Sequence, residues 1–146
     1  MITEFKGKYS FLSNFYACQT VYKGIKYPTS EHAYQAAKTL NPKHQLAIKE
    51  KDTPDDAKIA GRRLELRNDW EEIKDDVMYE IVKEKFKNKR LANRLLATEN
   101  KQLVEGNYWH DNYWGSCFCA KCLLIPKKNM LGKILMRVRK ELKNDS

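Results

Sequence analysis

The sequence predicts an α+β fold: one compact, mainly helical domain with a few short strands, spanning residues 1–146. Three observations carry this. Capped helix starts recur, the clearest being Thr53-Pro54-Asp55-Asp56, with a cap, a proline at the first helical position and acids in the first turn. A long apolar stripe of helical period runs from about Trp70 to Phe86. Strand-like runs are only three or four residues long. A chain of 146 residues is long enough to bury a core without staples.

In chain order, Ile2 to Phe5 reads as a short strand, broken at Lys6-Gly7-Lys8. In Tyr9 to Tyr16, four aromatics surround the polar pair Ser13-Asn14. A buried amide needs partners, so Asn14 either braces a loop or faces a ligand. Gln19 to Tyr22 and Ile25 to Tyr27 form a hairpin around Lys23-Gly24, ended by Pro28. Thr29 or Ser30 then caps a helix reaching Lys38. Asn41-Pro42 closes it and opens another, with Leu46 and Ile48 inward. The helix over 70–86 puts Ile73, Val77, Met78, Ile81, Val82 and Phe86 in the core, with Lys85 beside the stripe, at or near its buried edge. Lys87 to Arg90 is a basic turn before a short helix carrying Leu91, Leu95 and Leu96. Leu103 to Glu105 reads as a strand ending at Gly106. Asn129 caps the last helix, which docks through Met130, Ile134, Leu135 and Val138 and leaves Arg137, Arg139 and Lys140 in water.

Two stretches stand apart from this scaffold. In TSEHAYQAAK, residues 29–38, helical spacing stacks Glu31, Gln35 and Lys38 on one face. Glu31 and Lys38 lie roughly 10 Å apart along the axis, a separation suited to flanking a sugar. Ala33, Ala36 and Ala37 keep the helix slim enough to lie deep in a fold; the alternative is an ordinary solvated face. In NYWHDNYWG, residues 107–115, two Trp, two Tyr, His110 and Asp111 occupy nine positions without apolar periodicity. That is the composition of a ligand-facing loop.

The formal charge of +9 favours anionic partners, such as nucleotides, phosphorylated metabolites or weak nucleic-acid contact through the surface. No hydrophobic run is long enough for a bilayer, so no membrane role is expected. The start MITEFKGKYS has no signal-peptide core, so the cysteines are expected to stay reduced in a cytoplasm. Cys117, Cys119 and Cys122, with His110 nearby, can supply four zinc ligands. A strong zinc signature needs two C-x-x-C-type pairs, and one is present. The sequence therefore favours a reduced, partly buried loop over a metal site.

Six blocks, FKGKYSFLSNFY, YPTSEHAYQAAK, GRRLELRNDW, VMYEIVKEKF, LLATENKQLVEGNYWHDNYWG and NMLGKILMRVR, together resemble the YbiA-like, or NADAR, family over about Phe5 to Arg139. The resemblance implies an N-glycosidase that cleaves a bond between C1 of a ribose and an amine nitrogen. Family members act on ribosylamino intermediates of riboflavin synthesis or remove ADP-ribose from modified guanine in DNA. It also implies that Lys38 forms a Schiff base with the opened ribose, that Glu31, Trp70, Asp111 and Trp114 belong to the pocket, and that Asn14 and Phe15 help shape it. One departure is visible: Ser116-Cys117-Phe118-Cys119 replaces a glycine-rich turn common after the Trp-Gly pair.

These residue types suit the reaction. Breaking a ribosyl C–N bond builds positive charge on the sugar, which a carboxylate stabilises while an acid protonates the departing nitrogen. An amine can capture the open aldehyde as an imine, provided burial or a neighbouring cation keeps it partly neutral. Lys38 fits the amine, Glu31 the proton carrier, and Asp111 a holder of ribose hydroxyls or second acid. Trp109 and Trp114 offer faces for a base, Gln35 a polar contact, and Arg67 a fork for phosphate. Against this, Trp70 serves equally as a core anchor, Arg67 as a partner of Asp69, and Glu105 as scaffold. No cofactor is required. The rival classes are a non-catalytic ADP-ribose or NAD binder, which intact Glu31, Lys38 and Asp111 disfavour, and a nucleic-acid-binding module, for which no recognised motif is present.

Overall fold

Helix α1, Ser30–Ala37, has all eight residues buried. In the computed structural model, which describes residues 1–145, it is the centre of one of two compact units. That unit runs from Asn14 to Lys87. It contains the antiparallel hairpin β1 (Thr20–Tyr22) and β2 (Ile25–Tyr27), then α1, α2 (Pro42–Lys49), α3 (Pro54–Arg62) and α4 (Trp70–Lys85). The hairpin turns on Lys23 and Gly24, both with positive φ, the backbone that a tight two-residue loop demands. Helix α1 packs against α2, α3, α4 and β1. Its alanines, Ala33, Ala36 and Ala37, allow that crowding, so the alternative of a solvated surface helix is set aside.

The caps act as the sequence implies. Thr29, Asn41 and Thr53 each accept a backbone N–H of the first turn, from His32, Lys43 and Asp56 respectively. Helix α4 buries Trp70, Val77, Met78, Ile81 and Val82, and also Lys85, which is 2% exposed. Leu46 is a correction: Ile48 is buried, whereas Leu46 is 52% exposed, because α2 presents only a narrow face inward.

The second unit combines residues Met1–Ser13 with Asn88–Ser146. A 3-10 turn over Gly7–Leu12 buries Phe11 and Leu12. The expected N-terminal strand is reduced to one parallel bridge between Ile2 and Leu103. Helix α5 (Lys89–Leu96), capped by Asn88, packs on α6 (Met130–Asn144). Two-residue strands β3 (Gly106–Asn107) and β4 (Ser116–Cys117) pair in parallel and close the base of the loop between them.

Two expectations for α6 change. Arg139 is 9% exposed and donates to the Thr98 hydroxyl at 2.8 Å, so it is not in water. Asn129 holds the N-cap position in left-handed backbone, but its side chain does not cap. Instead, Nδ2 donates to the Leu103 carbonyl and Oδ1 accepts the Glu105 N–H, clasping the chain at 103–105.

Candidate active site

Seven of the residues singled out in the sequence fall in the Asn14–Lys87 unit, and hydrogen bonds link Asn14, Glu31, Gln35, Lys38, Arg67 and Trp70 in series. Glu31 sits in the first turn of α1, where the helix dipole favours a carboxylate. It is 8% exposed. Its Oε2 accepts from Gln35 Nε2 at 2.6 Å, one turn on, as the i, i+4 spacing requires. The Glu31 N–H donates to the Asn14 carbonyl at 3.0 Å, which pins the aromatic segment to the start of α1. Asn14 Nδ2 points to Met78 Sδ at 3.4 Å.

Lys38 closes α1 as its C-cap in right-handed backbone. Its amine lies 5.5 Å from the centre of the Tyr34 ring. That ring meets the buried Trp70 at 5.3 Å between centroids, tilted by 56°. The Lys38 carbonyl accepts the Arg67 N–H at 2.8 Å, and the Arg67 carbonyl accepts the Trp70 N–H at 3.1 Å, so α4 begins from the end of α1. Lys58 rests 5.9 Å over the Phe15 ring. Desolvation pulls the Lys38 amine below the usual lysine value; Glu31 opposes that, while the cations Arg62 and Lys58 reinforce it. Lys58 and Arg62 were not singled out by the sequence. Both lie on α3, and only its packing on α1 gives them a part in Lys38's electrostatics.

Two buried amide oxygens in this cluster, Asn14 Oδ1 and Gln35 Oε1, have no hydrogen-bond partner. Buried acceptors are ordinarily satisfied, so unpaired ones beside a carboxylate are suited to receiving hydroxyls. Gly61 makes the Gln35 position possible: a Cβ there would stand 1.9 Å from Gln35 Oε1 and 2.9 Å from its Cβ.

The alternatives for Arg67 and Trp70 are also visible. Arg67 donates through Nε and one terminal nitrogen to both oxygens of Asp69, at 2.6 and 3.2 Å. Trp70 is core. His32, on the same helix, is structural: Nε2 faces the Lys51 carbonyl at 2.9 Å, an acceptor, so the proton sits there and Nδ1 takes the Thr29 hydroxyl.

Asp111, Trp109 and Trp114 lie in the other unit, on the β3–β4 loop. Asp111 Oδ1 accepts the N–H groups of Tyr113 and Trp114 at 3.0 and 2.9 Å, shaping the turn. Asn107 brackets the same residue, accepting its N–H and donating to its carbonyl. Trp114 meets Tyr113 edge-on at 4.9 Å, and Trp109 meets Tyr108 likewise at 5.2 Å. Both Trp109 and Tyr108 are exposed.

The chain is similar to known proteins over most of its length. A family model described as the NADAR domain matches residues 3–143, which take in both units. The chain is 37% identical over 137 residues to the N-glycosidase YbiA of Escherichia coli K12, covering 92% of this chain and 82% of that protein. It is equally similar to a riboflavin biosynthesis protein of Vibrio vulnificus, but spans only 36% of that longer chain. The NMR structure of E. coli YbiA aligns with a TM-score of 0.83 at 35% identity, covering 99% of this chain and 86% of that one. This chain therefore belongs to the NADAR domain family.

Proposed function

We propose that this protein is a hydrolase of N-glycosyl bonds that cleaves a ribosyl C1–N bond through an imine on Lys38. The observation that carries the proposal is the Lys38 amine itself, desolvated below the usual lysine value beside Glu31. A lysine shifted in that direction supplies more neutral amine than an ordinary one. Supporting it are relatives named N-glycosidase and riboflavin biosynthesis protein.

In this reading the substrate's ribose ring opens to expose C1 as an imine of the departing amine. Lys38 Nζ adds to C1, Glu31 delivers a proton to the departing nitrogen, and the C1–N bond breaks. Water then adds to the Lys38 imine and expels the Lys38 amine, giving ribose phosphate or ADP-ribose, according to the substrate, and the starting enzyme. Asn14 Oδ1 and Gln35 Oε1 take ribose hydroxyls, Phe15 and Trp70 shape the pocket wall, and Arg67 meets phosphate through its remaining edge. Residues 1–146 then act as one functional domain. Four unpaired thiols are consistent with a reducing, cytoplasmic setting. No described helix is long and apolar enough to cross a membrane.

The substrate is a ribosylamino pyrimidine phosphate or ADP-ribosylated guanine in DNA. The test is turnover of both, side by side, with release of the free amine as readout. Turnover of either supports the reading, and DNA turnover that weakens steeply with salt marks contact through the basic surface. Binding of ADP-ribose or NAD without turnover of either substrate supports the non-catalytic alternative and overturns the proposal.

A further inference from the structure

The β3–β4 loop and the segment after it bring together four metal-binding side chains. The ligand atoms of His110, Cys117, Cys119 and Cys122 all lie within 4.8 Å of one another. His110 Nδ1 stands 3.3 Å from Cys122 Sγ, 3.4 Å from Cys119 Sγ and 3.7 Å from Cys117 Sγ. In a tetrahedral zinc site, bond lengths near 2.05 Å to nitrogen and 2.3 Å to sulfur place those atoms about 3.6 Å apart. All three distances fall around that edge length. Four ligands of Cys₃His type, with no place reserved for water or substrate, make a closed structural centre rather than a catalytic one.

A second observation is independent of these distances. His110 holds left-handed backbone at φ 69°, a conformation uncommon outside glycine. Asn107 fixes that bend by bonding both the N–H and the carbonyl of Asp111. On the opposite side, Asn112 Oδ1 accepts the Cys117 N–H at 2.8 Å, and the β3–β4 pair sets the register of Cys117. The backbone is thus bent to bring the imidazole to the thiols.

A third concerns what else holds the segment. Phe118, Leu123, Leu124 and Ile125 are all exposed, whereas Cys117 and Cys122 are buried. A segment that turns its large apolar side chains outward has little core of its own, the situation in which small folds use a metal. Linear spacing favoured a metal-free loop because only one C-x-x-C pair is present; the folded loop brings the His110 ring, already a candidate by its nearness in sequence, into reach of all three thiols.

We propose that His110, Cys117, Cys119 and Cys122 bind one zinc ion that fixes the segment from His110 to Cys122. Because His110 directly precedes Asp111, the ion also sets the turn carrying Trp109, Asp111 and Trp114; that consequence alone rests on the function proposed above.

The test uses the full chain purified in reducing buffer, with zinc measured by elemental analysis as isolated and after exposure to equimolar zinc. About one zinc per chain is expected, lost on chelation together with a fall in Tm. His110→Asn keeps a residue that tolerates the left-handed backbone. Together with Cys119→Ser, it should weaken zinc binding by more than the roughly 10- to 100-fold that loss of an outer hydrogen-bond partner costs. Cobalt substituted into the wild-type protein should show the intense visible bands of a tetrahedral thiolate site, absent from the double variant. Cys18→Ser, in the other unit, should retain full zinc. Less than about a tenth of a zinc per chain after zinc exposure, or full zinc in the double variant, overturns the assignment. None of these readouts involves glycosidase activity.

Discussion

Replacing Lys85 with Met separates the two unusual lysines of this protein. Lys85 is fully buried on α4, its amine 5.7 Å from the Tyr16 ring centre and 5.4 Å from that of Phe86. Desolvation brings it from the ordinary value down to about 7, opposed by the sulfur of Cys18. Because the folded value lies below the unfolded one, the unfolded chain binds more protons between about pH 7 and pH 10.5. Stability therefore rises with pH through that window, and the full cost of burying the ammonium is felt below it. A shift of that size corresponds to about 5 kcal/mol, of which about 2 kcal/mol is recovered between pH 7 and pH 9. Methionine has similar reach, no charge and a flexible thioether that suits an aromatic surround. Urea unfolding at a series of pH values, on wild type and Lys85→Met, isolates this residue, since every other titrating group is common to both. The stability of the wild type relative to Lys85→Met should rise by about 2 kcal/mol from pH 7 to pH 9. Parallel stability profiles would show that Lys85 stays charged, and would refute the argument from burial. The same variant should keep substantial turnover, because an enclosed amine does not meet substrate.

Glu31→Gln should fold, since Gln35 can still bond an amide, yet lose roughly 10²- to 10⁴-fold in kcat, the usual worth of a positioned proton carrier. Near-native turnover in the folded variant would remove Glu31 from the mechanism. Gly61→Ala should drive Gln35 out of its place, costing about 1–3 kcal/mol in stability from overpacking and at least tenfold in kcat/KM. Adding Gln35→Ala should restore the stability but not the activity; recovery of both would show that Gln35 only fills space. Raising pH toward the ordinary lysine value should increase kcat, because burial makes Lys38 give up its proton below that value. A flat profile would argue against a neutral amine as nucleophile.

Features set by local chemistry were legible in the sequence. Thr29 and Thr53 cap where a hydroxyl precedes a helical pattern, and the 70–86 stripe buries Val77, Met78, Ile81 and Val82, because caps and periodicity need only near neighbours. The alanines of α1 foretold its depth. The contacts that were missed come from partners distant in sequence. Arg139 looks solvent-facing by its position on α6, but Thr98 lies across from it. Asn129 looks like a cap, but its amide is used 26 and 24 residues back, at Leu103 and Glu105. Lys58 and Arg62 gain influence over Lys38 only when α3 packs on α1. The convergence of His110 on three thiols depends on one left-handed residue, which no spacing rule encodes.

The central claim is that the Lys38 amine forms the covalent intermediate, and borohydride trapping during turnover tests it most directly. An imine reduced in place leaves a stable ribosyl adduct, whose mass and position are read by peptide mapping. Arginine keeps the charge of lysine but remains protonated in proteins and forms no imine. Lys38→Arg and Lys38→Ala should therefore be equally inactive and untrapped, while the wild-type protein carries the adduct on the peptide containing Lys38. An active Lys38→Arg protein, or an adduct on another lysine such as Lys85, would contradict the account. Activity in Lys38→Arg with nothing trapped would point instead to direct attack of water on an oxocarbenium-like sugar, guided by Glu31.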